Sequence, residues 1–201
     1  DGIQAETCLQ VTSGSLLITT GGGSANASVK QDGNWGFWGS QITSAEETES
    51  AKGLKAGVAL YIADGEISLD SSDDALHANG DITVAGGTIE ISSGDDGVHA
   101  DDALVVTGGS MVINQSYEGM EGNSVTVSGG EIEIIASDDG INAAGGNDGS
   151  ALNGRPGQGY FDTDTSSYIR ITGGTITVRA DGDGIDSNGD VYVTGGATYI
   201  S

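Results

Sequence analysis

The sequence predicts an all-β fold, a parallel β-helix, and three observations predict it. The first is a repeated pentad: Asp-Asp-Gly-Val-His at 95–99 has counterparts in Asp-Asp-Ala-Leu-His at 73–77, Tyr-Glu-Gly-Met-Glu at 117–121, Asp-Asp-Gly-Ile-Asn at 138–142 and Gly-Asp-Gly-Ile-Asp at 182–186. The second is a Gly-Gly pair at 86–87, 108–109, 129–130, 173–174 and 195–196, each ahead of alternating residues such as Thr88-Ile89-Glu90-Ile91. The third is composition, with 36 Gly and one Pro in 201 residues, short β-branched runs and no apolar period of a helix. Pentad and glycine pair share one period, so the chain is a repeat array.

The apolar residue shared by the pentads sets the elements in order. It is Leu54 in Lys-Gly-Leu-Lys, then Leu76, Val98, Met120, Ile141 and Ile185, with Ile3 a weaker earlier member; the steps from Leu54 to Ile141 are 22, 22 and 22, then 21 residues. A unit of about 22 residues with two or three short strands and glycine bends fits one coil of a β-helix, stacked about 4.8 Å from the next. A leucine-rich repeat has a similar period, but its helix and Leu-x-x-Leu-x-Leu signature are missing. One elongated domain over residues 1–201 follows, since a solenoid core grows coil by coil.

Two insertions interrupt the array, at about 20–48 and 145–166. The first carries Trp35-Gly36-Phe37-Trp38 and an acidic stretch, and the second is rich in Gly, Asn and Asp and ends near Tyr160-Phe161. Loops of this length on a regular scaffold carry function or are disordered. The chain opens and stops inside the repeat pattern, which predicts terminal cap sequence beyond it. No apolar run is long enough to span a membrane, and no signal peptide is visible.

A formal charge of −24, from 30 acidic and six basic side chains, excludes nucleic acid and anionic membrane as partners. The repeat should align Asp74, Asp96, Glu118, Asp139 and Asp183 in one column, with Asp73, Asp95 and Asp138 beside it. Like charges so close repel unless solvent, a raised pKa or a cation relieves them. Oxygen ligands at that spacing suit calcium. The plainer explanation, Asp-Gly as turn chemistry, accounts for one Asp per coil but less well for Asp-Asp. His77 and His99 should stack with Lys55, Glu121, Asn142 and Asp186 on the outer surface. With two histidines in the chain and no cysteine beside them, zinc is disfavoured. Cys8 is alone, so there is no internal disulfide, and it reads as a small buried apolar residue.

Taken together, Asp-Gly-Ile-Gln-Ala-Glu at the start, Lys-Gly-Leu-Lys-Ala, Ser-Asp-Asp-Ala-Leu-His, Gly-Asp-Asp-Gly-Val-His-Ala-Asp, Ser-Tyr-Glu-Gly-Met-Glu, Ser-Asp-Asp-Gly-Ile-Asn-Ala-Ala-Gly-Gly-Asn-Asp and Gly-Asp-Gly-Ile-Asp-Ser-Asn-Gly resemble the clostridial-type carbohydrate-binding β-helix family. The resemblance runs over nearly the whole chain, in one order and with both insertions in place. It implies a right-handed parallel β-helix, similar in fold to family 9 pectate lyases. It also implies a secreted or cell-surface protein that carries calcium and binds cellulose and acidic plant polysaccharides such as polygalacturonate and pectin. The family's calcium-type acids fall on Asp73, Asp74, Asp95, Asp96, Asp138, Asp139, Asp181 and Asp183. The departures are Tyr117-Glu118 and Lys52, and they predict no metal at the middle and first coils.

The reading that follows is a non-catalytic carbohydrate-binding protein with structural and bridging calcium. Candidate sugar contacts are Trp35, Trp38, Lys52, Lys55, Tyr160 and Phe161, the aromatics having insert packing as their alternative. A calcium-assisted polyuronate lyase would draw its base from Lys52 or Lys55, or from Arg170 or Arg179 on a later coil. Lys52 would have to be neutral for that, which neighbouring carboxylates oppose; its alternative is an ion pair closing the acidic ladder. Paired carboxylates for glycoside hydrolysis are uninformative where acids are everywhere. A calcium-stiffened surface stalk is the remaining alternative.

Overall fold

The computed structural model describes residues 1–27, 50–144 and 166–201. Every pairing between the described strands is parallel, and apart from one short 3-10 turn at Ser24–Asn26 they carry no helix. The strands fall into three columns round which the chain winds. The arrangement fits a β-helix.

The first column stacks Ile3–Ala5, Leu54–Ala56, Leu76–Ala78, the start of Val98–Val106, the start of Met120–Val127, Ile141–Ala143 and Ile185–Ser187. Its register joins Leu54 to Leu76, Leu76 to Val98, Val98 to Met120, Met120 to Ile141 and Ile141 to Ile185. Ile3 pairs with Leu54 and so belongs to the same row. The second column holds Cys8–Val11, Ala59–Ile62, Asp81–Val84, the ends of the two long strands, Tyr168–Ile171 and Asp190–Val193. The third runs from Ser15–Thr20 to Ala197–Ile200 in a seven-stranded sheet.

Alternation explains what each strand buries. In Thr88–Ser93 the inward residues Ile89 and Ile91 are fully buried while Thr88 and Glu90 face water, the pattern of a sheet with one apolar face. Leu76, Val98, Met120 and Ile141 form an unbroken inner row without solvent contact. Beside it Ala56, Ala78, Ala100 and Gly122 are in register, small residues that let the wall bend between columns. The glycine pairs make the next bend. Gly109 has φ 91°, a conformation that favours glycine, and a Cβ on Gly108 would stand 2.8 Å from the Ala85 carbonyl oxygen of the turn below.

The insertion residues 28–49 and 145–165 lie outside the described residues, and Trp35, Trp38, Tyr160 and Phe161 with them. Among the described residues no helix is long and apolar enough to cross a membrane.

Candidate functional site

The pentad turns the chain into the first column so that its apolar residue points inward and its neighbours do not. In Asp-Asp-Ala-Leu-His, Leu76 fills the core while Asp74 and His77, three residues apart, meet again on the other side: His77 Nδ1 lies 2.9 Å from Asp74 Oδ2. The next turn repeats this, with His99 Nδ1 3.1 Å from Asp96 Oδ2. The two imidazoles stack, centroids 5.1 Å apart and planes 23° apart.

The aspartates also bind the backbone of the following turn. The Asp96 N–H donates to Asp74 Oδ1 at 3.2 Å, the Glu118 N–H to Asp96 Oδ1 at 3.2 Å, and the Asp183 N–H to Asp139 Oδ1 at 2.7 Å. The acidic column is thus a ladder of side-chain to backbone bonds. It breaks at Glu118, one methylene longer, whose Oε1 instead accepts from Asn142 Nδ2 at 2.9 Å.

Internal cations neutralise part of this column. Lys52 Nζ donates to Asp73 Oδ1 at 2.8 Å and to Asp74 Oδ2 at 2.6 Å, the ion pair at the start of the acidic ladder. His99 Nδ1 faces Glu121 Oε2 at 2.6 Å as well as Asp96, and its Nε2 lies 3.2 Å from Asp101 Oδ1. Lys55 Nζ is 3.4 Å from Ser50 Oγ and 3.7 Å from Asp1 Oδ2. The row of Lys55, His77, His99, Glu121, Asn142 and Asp186 is stacked in register as the sequence suggests, but it is more covered than an outer surface would be. The His77 and His99 side chains are each 12% exposed, and Glu121 and Asn142 are buried.

Burial and charge set the protonation states. Burial alone would lower the His99 pKa, but its hydrogen bonds to Asp96 and Glu121 and the charges of Glu121 and Asp74 outweigh it, and the imidazole is pushed up to about 11. Burial would raise Asp74; the His77 hydrogen bond and the charges of Lys52 and His99 hold it well below the usual carboxylate range. Asp96 has less relief. Burial, with Asp74, Asp95 and Glu121 nearby, pushes it up to about 8 against the His99 hydrogen bond. Glu118 goes to about 9, by burial and then by the charges of Asp96 and Glu121. Burial also raises Asp139, with Asp138, Asp186 and Asp183 adding to it.

Three groups bring possible ligand atoms within 4.8 Å of one another: Asp73 with Asp74 and Asp95; Asp96 with His99 and Glu121; and Asp74 with His77 and His99. The first is all oxygen, the donor type calcium takes, but Lys52 already sits on two of its carboxylates. Glu118 Oε2 and Asn142 Oδ1 are buried acceptors with no hydrogen-bond donor among the described residues. Such atoms are costly to bury without a donor or a cation. Asp138 and Asp139 approach Gly182 so closely that a Cβ there would stand 2.7 and 2.6 Å from their oxygens, while Asp181 and Asp183 are exposed. Of the three groups only that of Asp73 has the all-oxygen donor type of calcium, with Lys52 as the cation now on it, and the two histidine groups mix nitrogen with oxygen.

A family model described as carbohydrate-binding domain-containing protein matches residues 1–97 and again residues 95–201, which together span the chain. The chain belongs to this carbohydrate-binding family. A solved structure described as that of the polysaccharide lyase-like protein from C. thermocellum, a gadolinium derivative, is 24% identical to this chain, covering 74% of it and 67% of the other chain, with a TM-score of 0.45. No curated protein matches the chain.

A second cluster in this carbohydrate-binding domain lies on the outer face of the second column. Tyr168 and Arg170 alternate outward on one strand, and Asp190 and Tyr192 stand opposite them on the next. The Arg170 guanidinium lies 5.6 Å from the Tyr168 ring centre and 5.1 Å from that of Tyr192. Tyr192 Oη donates to Asp190 Oδ2 at 2.8 Å. From the sequence Arg170 is a candidate lyase base only, and nothing there singles out Tyr168 or Tyr192. The signal available was the repeat period itself, which sets Tyr168 opposite Asp190 and Arg170 opposite Tyr192.

Proposed function

We propose that this chain is a non-catalytic carbohydrate-binding module, secreted or at the cell surface. It is read as a right-handed parallel β-helix with coils of about 22 residues. Its partners on this reading are plant cell-wall polysaccharides, polygalacturonate or pectin and cellulose, and calcium is held among its stacked acids. The observation that carries the calcium part is the set of Asp73, Asp74 and Asp95, whose carboxylate oxygens lie within 4.8 Å of one another. The sequence expects no metal at the turn of Glu118, where the double Asp is lost, and burial with the neighbouring acids keeps that carboxyl protonated up to about 9. Asp138 and Asp139 supply further oxygens. A calcium ion bound there would bring positive charge to a strongly acidic wall and join protein carboxylates to a uronate carboxylate.

The protein's own residues favour binding over elimination. Burial alone would ease the Lys52 proton off, but the charges and hydrogen bonds of Asp74 and Asp73 raise its pKa above the ordinary lysine value. An ammonium fixed on two carboxylates is a poor general base. Its place at the ladder's start is that of a counter-ion.

The deciding experiment is calorimetric titration of polygalacturonate into the protein, with calcium and again after chelation, while absorbance is followed for unsaturated product. Calcium-dependent heat without product is expected. Product would overturn the non-catalytic reading in favour of a lyase, and absence of heat in both conditions would leave a calcium-stiffened stalk.

A further inference from the structure

We propose that Tyr168, Arg170 and Tyr192 form a sugar subsite on the outer face of the second column, one that takes a ring bearing a carboxylate, such as a uronate unit of an acidic polysaccharide. This rests on the carbohydrate-binding reading above and assigns part of that binding to a face separate from the acidic column.

The first argument is the state of the cations. The chain has six Lys and Arg against 30 acids. Among the described residues Lys52 is committed to Asp73 and Asp74, Lys55 to Asp1 and Ser50, and His99 to Asp96, Asp101 and Glu121. Arg170 and Arg179, by contrast, make no ion pair with a described carboxylate and are exposed, and of the two it is Arg170 that lies against aromatic rings. In so acidic a protein, a guanidinium left without an acid is an available anion receptor. Its planar fork matches a carboxylate with two parallel N–H donors.

The second argument is the frame round it. Two tyrosine rings flank the guanidinium, and Tyr192 remains 43% exposed. The bond from Tyr192 to Asp190 orients the Tyr192 hydroxyl toward the strand on which it sits. A sugar offers what this arrangement recognises: an apolar face of C–H groups for an exposed ring and, in a uronate, a carboxylate at the ring's edge for Arg170. Thr126, paired with Arg170 on the preceding turn and half-buried, adds a hydroxyl along the same row. The cluster is built on paired strands and not on a loop, so these groups are held in place before the ligand arrives.

The test is calorimetric titration of an oligogalacturonate, and in parallel of an uncharged cello-oligosaccharide, into the wild-type chain and into Arg170→Gln and Tyr192→Ala, all in saturating calcium. Melting temperature is recorded with calcium and with chelator. Arg170→Gln should weaken oligogalacturonate binding about tenfold or more and leave the cello-oligosaccharide response unaltered. Tyr192→Ala should weaken both, and neither variant should change the rise in melting temperature produced by calcium. Wild-type affinity in both variants would overturn the subsite while the carbohydrate-binding reading stands. A loss that comes together with a loss of the calcium effect would overturn it in favour of damage to the fold. Absence of binding by the wild-type chain to either sugar would overturn both.

Discussion

Asn142 and Glu118 share one hydrogen bond and leave one acceptor each: Asn142 Nδ2 donates to Glu118 Oε1 at 2.9 Å, while Glu118 Oε2 and Asn142 Oδ1 are buried without a donor. Burial and the neighbouring acids keep Glu118 protonated up to about 9, so Glu118→Gln replaces one neutral side chain by another whose Oε1 can still accept from Asn142 Nδ2. In chelator near pH 7 the variant should lie within about 1 kcal/mol of wild type, and as pH rises past about 9, where wild type must ionise a buried carboxyl, it should become the more stable of the two. It should also gain less from calcium. Denaturant midpoints with and without calcium test this; a variant stabilised by calcium as much as wild type would show that Glu118 is no ligand of the proposed calcium.

The protonation states predict a pH profile. In the folded protein Asp96 and Glu118 keep their protons up to about 8 and 9, whereas the unfolded chain releases them near the ordinary carboxylate values. Stability therefore falls as pH rises from about 4 toward those values, because the folded state then binds more protons than the unfolded one. His99 acts in the same direction. Raised to about 11, it contributes fully below its ordinary value near 6.5, and the contribution is lost as pH climbs through its folded value. Without divalent cations the melting temperature should fall steadily between pH 5 and 9, and calcium should flatten the decline. A rise over that interval in chelator would contradict the assigned shifts.

Lys52→Ala leaves Asp73 and Asp74 facing each other without their ammonium. The expected loss in chelator is roughly 3 kcal/mol, the order found when one partner of a buried pair is removed. Calcium should restore the variant more than it stabilises wild type, because the Asp73, Asp74 and Asp95 oxygens then lack a competing cation. Equal calcium responses would show that the three oxygens do not act together.

Leu76 is fully buried between Leu54 and Val98. Leu76→Ala should cost about 2–5 kcal/mol in urea unfolding, and Val98→Asp, which places a carboxylate in the same row, should prevent folding. A folded Val98→Asp variant with native circular dichroism would mean that the inner row is looser than its burial indicates.

Much of the wall was legible in the sequence. The pentad and the glycine pair carry the repeat, so Leu54, Leu76, Val98, Met120 and Ile141 could be aligned before any coordinates, and the acidic column followed with them. The ion pair of Lys52 was also within reach, because a cation at an acidic position has few other roles. The burial of His99 and Glu121 was not. Alternation places them on the outward side of a strand, and only the full structure shows how little of that side is open to solvent. The bonds from Asp74 and Asp96 to the next turn's N–H groups were hidden for a different reason, since Asp-Asp reads equally well as turn chemistry or as a metal ligand. The Tyr168, Arg170 and Tyr192 cluster has no repeat of its own. Outward residues vary from turn to turn, so nothing in the periodic signal draws attention to them.

Each turn of this wall is bonded to the turn on either side of it, through backbone ladders and through aspartates that reach across to the next N–H. Such a structure has a mechanical character that a globule lacks. Pulled along its axis, it would peel one turn after another at a nearly steady force, as expected where each repeat touches only its neighbours. The Lys52 clamp on Asp73 and Asp74 would then set the resistance of its own turn, and a tethered polysaccharide would be held by a spring that yields in steps.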